Sequence, residues 1–424
     1  MKLRHLLFLL IFSGGIKAQA PLVSKIVIKG NKITLDKILL REIQHTAGVP
    51  LDSSLAQDDR DRLLNLGIFA DVYWAAVPIE DLSVILEYEV IESKRFIGGP
   101  MPIFDEKTGF SLTVGIIWNN FRGRNETLMA GATFGGRFTF GLNYLNPWIS
   151  SDHLSLNMDA GRNIEDHPFL PYEIRANSFE LNVGRFFGYS RRVSLGFELE
   201  EKLFASVNEE IIDRSYQHFA PQGVFQYDTR DLYLEPTRGI LIIQSISSLW
   251  DLKREKKSTA FWYQSYSYFK KLNKGPKNLV WGLNLTSYTT LGKIDEVWIG
   301  YIGGSSTVRG WNIPDRKLYT GVESSNRFGH HYILFSSELR KTFFPRKVSS
   351  FGMEYGLTLA LFFDTGIIGD SLPELKSQIP IQGTGISLQI PFPIFGMIRV
   401  DYGFGFEQGE SRGTSWHLDF QQKF

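Results

Sequence analysis

The stretch Ile398-Arg399-Val400-Asp401-Tyr402-Gly403-Phe404-Gly405-Phe406-Glu407 alternates without an error. Ile398, Val400, Tyr402, Phe404 and Phe406 fall on one side of an extended chain, and Arg399, Asp401, Gly403, Gly405 and Glu407 on the other. The same period runs through Leu154, Leu156, Met158 and Ala160, and through Val193, Leu195, Phe197 and Leu199. Each is a strand with one oily and one wet face. A soluble sandwich has this period, with its apolar faces sharing a core. So does a membrane barrel, whose apolar side chains meet lipid while the others line the lumen. Period alone does not choose between them; length, aromatic density and export favour the barrel.

The chain has 424 residues, with 40 Gly, 33 Phe, 17 Tyr, 9 Trp and no Cys. It is too aromatic for a disordered chain and too Gly-rich for a helical one. Without Cys there is no disulfide framework, thiolate metal site or Cys nucleophile. The formal net charge is +1, and losing the first twenty residues removes Lys2, Arg4 and Lys17 but no acid, leaving a slightly acidic chain. No basic footprint for nucleic acid exists.

Residues 1–20 carry Lys2 and Arg4, an apolar run from Leu6 to Phe12, and the small-residue tail Ala18-Gln19-Ala20. This is the layout of a secretory signal peptide, cleaved after residue 18 or 20. As a helix the apolar run reaches only about 10 Å, too short for a ~30 Å bilayer core. No later apolar run comes near ~18 residues, so helical spans are excluded and a barrel is not.

Residues 21–95 read differently, as β-α-α-β-β. A strand through Ile26 and Ile28 ends at Gly30-Asn31, and Leu35, Ile38, Leu39 and Ile43 follow at helical spacing. A second helix starts at the Asp52-Ser53-Ser54 cap and stops at Gly67. Strands through Val72 and Trp74, and through Val84, Leu86 and Tyr88, complete a small α+β module with helices on one face of a sheet. Residues 96–109, with Gly98-Gly99-Pro100 and Pro102, read as a linker or hinge, and the barrel occupies 110–424. At the far end, Trp416, Leu418, Phe420 and Phe424 share one parity, which would place the final aromatic in the interfacial girdle.

With these segments in order, the chain resembles the outer-membrane insertases and translocases of the BamA/TamA type, also called the bacterial surface antigen family. Ile26 to Asn31, Leu63 to Val72 and Leu86 to Glu92 resemble a POTRA domain. Tyr227-Asp228-Thr229-Arg230-Asp231 with Pro236 to Gly239, Gly303-Gly304, Val308-Arg309-Gly310-Trp311, Ser337-Glu338-Leu339-Arg340 and Phe362-Phe363-Asp364-Thr365-Gly366 are similar to family signatures. The resemblance implies a transmembrane antiparallel β-barrel of sixteen strands behind one POTRA-like domain. About 327 residues follow from Gly98 onward, about 20 per strand with its turn; fourteen or eighteen strands would also fit. A single such domain departs from the several of BamA-like proteins and the usual two of two-partner transporters.

The resemblance also implies a long extracellular loop folded back into the lumen, with Arg309 and Gly310 against Asp364, Phe362 and Glu338 on the inner wall. Strand parity agrees on the wall residues. Met353, Tyr355, Leu357, Leu359, Leu361 and Phe363 make one oily face, so Phe362 and Asp364 point inward, and next door Ile333, Phe335 and Leu339 leave Glu338 and Arg340 inward. A lateral seam is expected between a first strand around Phe110 and Leu112 and a last strand carrying Trp416, Phe420 and Phe424.

Gly409-Glu410-Ser411-Arg412-Gly413 matches a hydrolase regular expression, but no helix follows it, so it reads as a hairpin connection. His330 and His331 point to opposite faces of a strand and cannot share a metal. No metal site, cofactor or catalytic set is expected. The expected localisation is the outer membrane with the small domain in the periplasm. The expected role is insertion of barrel proteins or translocation of a polypeptide, with outer-membrane lipid, unfolded barrel or secreted polypeptide clients and periplasmic accessory proteins as partners. A passive channel or structural surface antigen is the alternative.

Overall fold

The computed structural model describes residues 20–79, 82–150, 153–207, 211–253, 256–275, 277–292, 295–315, 318–319, 326–348, 354–392 and 396–424. Met353 and the expected leader, apart from Ala20, lie outside the described residues.

The N-terminal module runs β1 (Leu22–Lys29), α1 (Asp36–Leu40), α2 (Ser53–Asn65), β2 (Phe69–Pro78) and β3 (Ser83–Glu92). Its sheet has the order β1-β3-β2, with β1 parallel and β2 antiparallel to β3. The Asp52 carboxylate caps α2 by accepting from the Ser54 and Leu55 N–H groups at 2.8 and 3.2 Å. The chain leaves that helix through Gly67, whose φ of +71° suits glycine. Leu39, Ala56 and Leu63 bury against Val72, Val84, Leu86 and Val90 in a core of the module's own. Beneath the helices the Asp59 carboxylate accepts from the Tyr88 hydroxyl at 2.9 Å and lies 3.1 Å from His45 Nδ1, so these buried polar groups are paired.

The rest is one sixteen-stranded antiparallel sheet. Its first half is β4 (Phe96–Asp105), β5 (Gly109–Phe121), β6 (Glu126–Gly135), β7 (Arg137–Asn146), β8 (Leu154–Asp166), β9 (Tyr172–Phe187), β10 (Arg191–Ser206) and β11 (Arg214–Asp228). Then come β12 (Gly239–Asp251), β13 (Lys256–Lys271) and β14 (Leu279–Leu291). A long loop follows that carries the two-residue strands β15 (Gly300–Tyr301) and β16 (Phe328–Gly329). The sheet resumes with β17 (His331–Val348), β18 (Glu354–Gly369), β19 (Ile381–Phe392), β20 (Gly396–Glu407) and β21 (Glu410–Asp419). Strands of 10–18 residues meet or exceed the ~9–11 that a tilted strand needs to cross a bilayer.

Alternation sorts the two faces. Tyr355, Leu359, Leu361 and Phe363 are exposed on the outside of β18, while Thr358, Phe362 and Asp364 between them are buried. This is the inversion of a soluble protein that a lipid-facing wall requires.

Three expectations need correction. Residues 96–105 are not a linker: Phe96 to Asp105 pair with Trp118 back to Gly109, making β4 the first barrel strand. Phe110 and Leu112 therefore lie on β5, one strand away from the seam. The C-terminus does not continue as a strand to the membrane rim either. The ladder of β21 ends at Asp419, and the tail turns inward: the Phe424 ring stacks on Phe269 at 5.9 Å, and Arg340 lies over it at 4.9 Å. Polar partners inside the lumen hold the tail there, Asp364 for Lys423 and Arg340 for Gln422.

The barrel is nearly closed. β4 and β21 are the ends of the sheet, and among the described residues no ladder joins them. Leu418 to Phe420 face Ile103 to Glu106 across a cavity of about 340 Å³.

The small domain sits on the barrel turns at the end where β4 begins. Leu35 N–H donates to the Gly123 carbonyl at 3.0 Å, Asn65 exchanges hydrogen bonds with Asp231 and Tyr233 at 2.9 Å each, and Arg238 pairs with Asp58 at 2.9 Å. The Arg41 guanidinium stacks on Trp148 at 4.1 Å and Arg62 on Tyr189 at 4.9 Å.

Candidate functional site

The loop between β14 and β17 re-enters the barrel. Val308 anchors it, packing among Ile302, Leu334, Ile368 and Ile381. The next residue, Arg309, is completely buried. Its Nε donates to Asp364 Oδ2 at 2.8 Å, one terminal nitrogen to Asp364 Oδ1 at 3.1 Å and the other to Glu338 Oε1 at 2.6 Å. Its backbone N–H also reaches Asp364 Oδ2 at 3.1 Å. The guanidinium carbon lies 3.8 Å from the centre of the Phe362 ring, a stacked cation–π contact. A fork that grips one carboxylate with two donors and stacks on a ring is a use to which Arg, and not Lys, is suited.

Gly310 follows with φ of +89°, and a Cβ there would come within 2.7 Å of the Phe404 carbonyl. The opposing wall is built to match. Gly383, Gly403 and Gly405 face the loop backbone so closely that a Cβ on each would meet Arg309 or Gly310 main-chain atoms at 1.7, 2.7 and 2.8 Å. Gly310 N–H donates to His417 Nε2 at 2.9 Å, and His417 Nδ1 lies 2.5 Å from Glu106 beyond the end of β4. Glu106 also accepts from Ser305 N–H at 2.8 Å. Trp311 donates its indole N–H to the Gln382 carbonyl at 2.7 Å.

Around Arg309 the charges alternate. Asp401 lies 3.5 Å from it and accepts from Arg399 at 2.9 Å; Arg399 also reaches Asp419 at 3.1 Å and the Ser305 carbonyl at 3.0 Å. Glu338 is shared with Arg340 at 2.7 Å, and Asp364 with Lys423 at 2.8 Å. Arg309, Arg340, Arg399 and Lys423 thus balance Glu338, Asp364, Asp401 and Asp419. Buried charges survive only when paired in this way.

The structure brings together Arg309, Gly310, Asp364, Phe362 and Glu338. Trp416 lies on β21 beside Tyr402, and Phe420 begins the tail that carries Phe424 inward. Sequence reading missed Asp401, Arg399, His417 and Lys423. The first three sit at inward parity on β20 and β21 and were legible as lumen residues. Lys423 keeps that parity in its letters, but the ladder of β21 ends at Asp419, and only the inward turn of the tail brings its ammonium to Asp364. Among the described residues no group of His and carboxylate side chains is arranged to hold a metal ion.

With this geometry in hand, comparisons place the chain. Residues 120–422 match the family described as Omp85 superfamily domain, and residues 21–93 match POTRA, the surface antigen variable number repeat. The chain is 24% identical over 415 residues to outer membrane protein assembly factor BamA of Nitratidesulfovibrio vulgaris, covering 93% of this chain and 50% of that protein. It is 27% identical over 145 residues to BamA of Neisseria meningitidis serogroup B, covering 32% of this chain and 18% of that protein. The chain therefore spans about half the length, at most, of these relatives. In fold it is similar to BamA from Haemophilus ducreyi lacking POTRA domains 1–3, with a TM-score of 0.56 at 16% identity over 94% of this chain and 85% of that one. It is similar also to CdiB from Acinetobacter baumannii, with a TM-score of 0.54 at 14% identity over 94% and 74% of the two chains. A sixteen-stranded barrel behind one POTRA domain, matched along most of its length, makes this chain a member of the Omp85 superfamily of BamA/TamA type, resident in the outer membrane with its POTRA domain in the periplasm.

Proposed function

We propose that this protein inserts barrel proteins into the outer membrane or passes a polypeptide through it, using strand edges as its working surface. One observation carries the reading: among the described residues the first and last strands of the sheet, β4 and β21, have no ladder between them. An unpaired edge presents N–H and C=O groups that another chain can satisfy with little sequence demand. The seam is then where a client segment enters, and the outer strands of the POTRA sheet, β1 and β2, offer edges at which it is first held. The relatives named as assembly factors support this reading, since the same barrel plan serves them.

In this mechanism Arg309 holds the long loop against β18, β17 and β20, and Glu106 with His417 ties the top of β4 to the loop and to β21. The loop keeps the wall beside the seam, from β17 to β21, in shape while the seam moves. Clients and accessory proteins recognised in the periplasm complete the partner set.

The chain has no Cys, so a pair introduced as Phe104→Cys and Leu418→Cys reports on the seam alone. Locking it should abolish function, and full activity of a completely cross-linked barrel refutes the lateral entry. Depletion of the protein should lower other outer-membrane barrels or one secreted partner. An unchanged outer-membrane proteome would favour a passive channel instead.

A further inference from the structure

The strand that borders the seam is composed against forming a ladder. β4 reads Phe96-Ile97-Gly98-Gly99-Pro100-Met101-Pro102-Ile103-Phe104-Asp105. Asn119 N–H donates to the Arg95 carbonyl at 2.7 Å, which sets the phase: Arg95 turns its backbone groups toward β5. The register with β5 is unbroken from Phe96 to Asp105, so Ile97, Gly99, Met101 and Ile103 also face β5. Phe96, Gly98, Pro100, Pro102 and Phe104 then face the seam. Two of these five seam positions are prolines, which have no N–H. Proline within a sheet belongs on an edge with its nitrogen away from any partner, and that is where both of these fall. Gly99, immediately before Pro100, has φ of +131°, so the middle of the strand departs from regular extended geometry as well.

The chain has a strand of its own that could cover this edge. Leu418 to Phe420 lie beside Ile103 to Glu106, with His417 2.5 Å from Glu106. A straight continuation of β21 would carry the last five residues, Phe420 to Phe424, past Pro102 and Pro100. They go elsewhere. Gln422 accepts from Arg340 at 2.8 Å, Lys423 pairs with Asp364 at 2.8 Å and donates to the Thr307 carbonyl, and the Phe424 carbonyl accepts from Arg340 at 3.4 Å.

We infer that Pro100 and Pro102 are positioning residues that keep the seam open: by removing two consecutive donors from the edge of β4 they prevent the chain's own C-terminal tail from zipping onto it. The tail is held instead in the lumen by Asp364 and Arg340. The lower part of the β4 edge is left with carbonyls at Pro100 and Pro102 and full peptide groups at Phe96 and Gly98. An extended polypeptide segment that donates N–H groups can dock there and, with two return bonds missing, can also leave. This last step rests on the lateral entry proposed above; the competition between tail and prolines does not.

The test is amide hydrogen exchange of the full chain in detergent, comparing the native sequence with the double variant Pro100→Val and Pro102→Val. Two ladder bonds restored should slow exchange in residues 96–105 and 414–424 roughly tenfold, while heat-modifiable migration shows the barrel intact. Unchanged exchange in a folded double variant overturns the inference. If the double variant does not fold, the single variants each carry one restored donor and should show a smaller slowing of the same peptides; no slowing in either overturns it equally. In cells the double variant should reproduce the effect of depletion on the outer-membrane proteome. Were depletion itself without effect, the transport reading would fall while the exchange result still decided the role of the prolines.

Discussion

Arg309 and Lys423 share one oxygen: Asp364 Oδ2 accepts from Arg309 Nε and from Lys423 Nζ, both at 2.8 Å. One residue belongs to the long extracellular loop and the other to the C-terminal tail. A single carboxylate on β18 therefore holds both inside the barrel, and changes in the loop and in the tail are coupled through it.

Arg309→Ala should release the loop. Removing one partner of a buried ion pair leaves the others uncompensated, at a cost of about 3–5 kcal/mol, and here Asp364, Glu338 and Asp401 all face the gap. Limited proteolysis should cut within residues 295–315 while the barrel keeps its heat-modifiable migration. Arg309→Lys should rescue only in part, because an ammonium cannot grip two oxygens and stack on Phe362 at once. Protease resistance equal to the native protein in the alanine variant would contradict the arrangement.

Lys423→Met should loosen the tail and spare the loop. Asp364 keeps its two bonds from the Arg309 side chain, so the expected loss is smaller, about 1–2 kcal/mol. Carboxypeptidase digestion of the folded protein reads this directly: faster removal of Phe424 with an unchanged loop-cleavage pattern.

Gly403→Val should displace the loop from the wall without touching any charge. Its Cβ would lie 2.7 Å from Gly310 N, backbone against backbone, so neither side can yield by rotating a side chain. The same proteolysis should resemble that of Arg309→Ala, and a native pattern would show that the wall tolerates a side chain there.

Docking of the POTRA domain should weaken as the pH rises from mildly acidic values. Glu42 lines a cavity of about 260 Å³ between α2, Trp148, Tyr189 and Tyr233. Burial pushes its carboxyl above the ordinary value, opposed by Arg41 and Arg62. Asp61 shifts the same way, again chiefly through burial. Below the free-carboxylate value of about 4.3 both states hold the proton and docking carries no penalty. As the pH climbs through the interval up to the raised value the docked state resists ionising, so docking loses free energy, and above that interval the loss is constant. Spin labels at the exposed positions Ala75 and Arg191 should show a broader distance distribution at pH 7 than at pH 4.5, and Glu42→Gln should shrink the difference. An unaltered pH response in that variant would remove Glu42 from the account.

Asp52→Ala should cost the POTRA domain about 1 kcal/mol, the usual value of a lost N-cap, since its carboxylate satisfies two N–H groups at the start of α2. Thermal melting of residues 20–95 by circular dichroism measures it.

Sequence by itself determined the wall. Alternation at Ile398 to Glu407 decides which side chains meet lipid, because successive residues of a strand point to opposite faces whatever lies next door. By the same rule Glu338, Phe362 and Asp364 could be placed in the lumen, and the unused glycines Gly403 and Gly405 were legible as inward positions in the same stretch. What the period could not reach is whatever stops being periodic. Gly98 to Pro102 carries the residues of a hinge, and it is a strand only because β5 supplies a ladder on the one side where proline needs no N–H. The tail from Phe420 to Phe424 keeps strand parity in its letters yet turns away, since Asp364, Arg340 and Phe269, drawn from three distant strands, offer it partners that local pattern does not encode. Which edges of the barrel meet, and which stay apart, is settled by contacts between residues hundreds of positions apart, and only the closed fold brings those together.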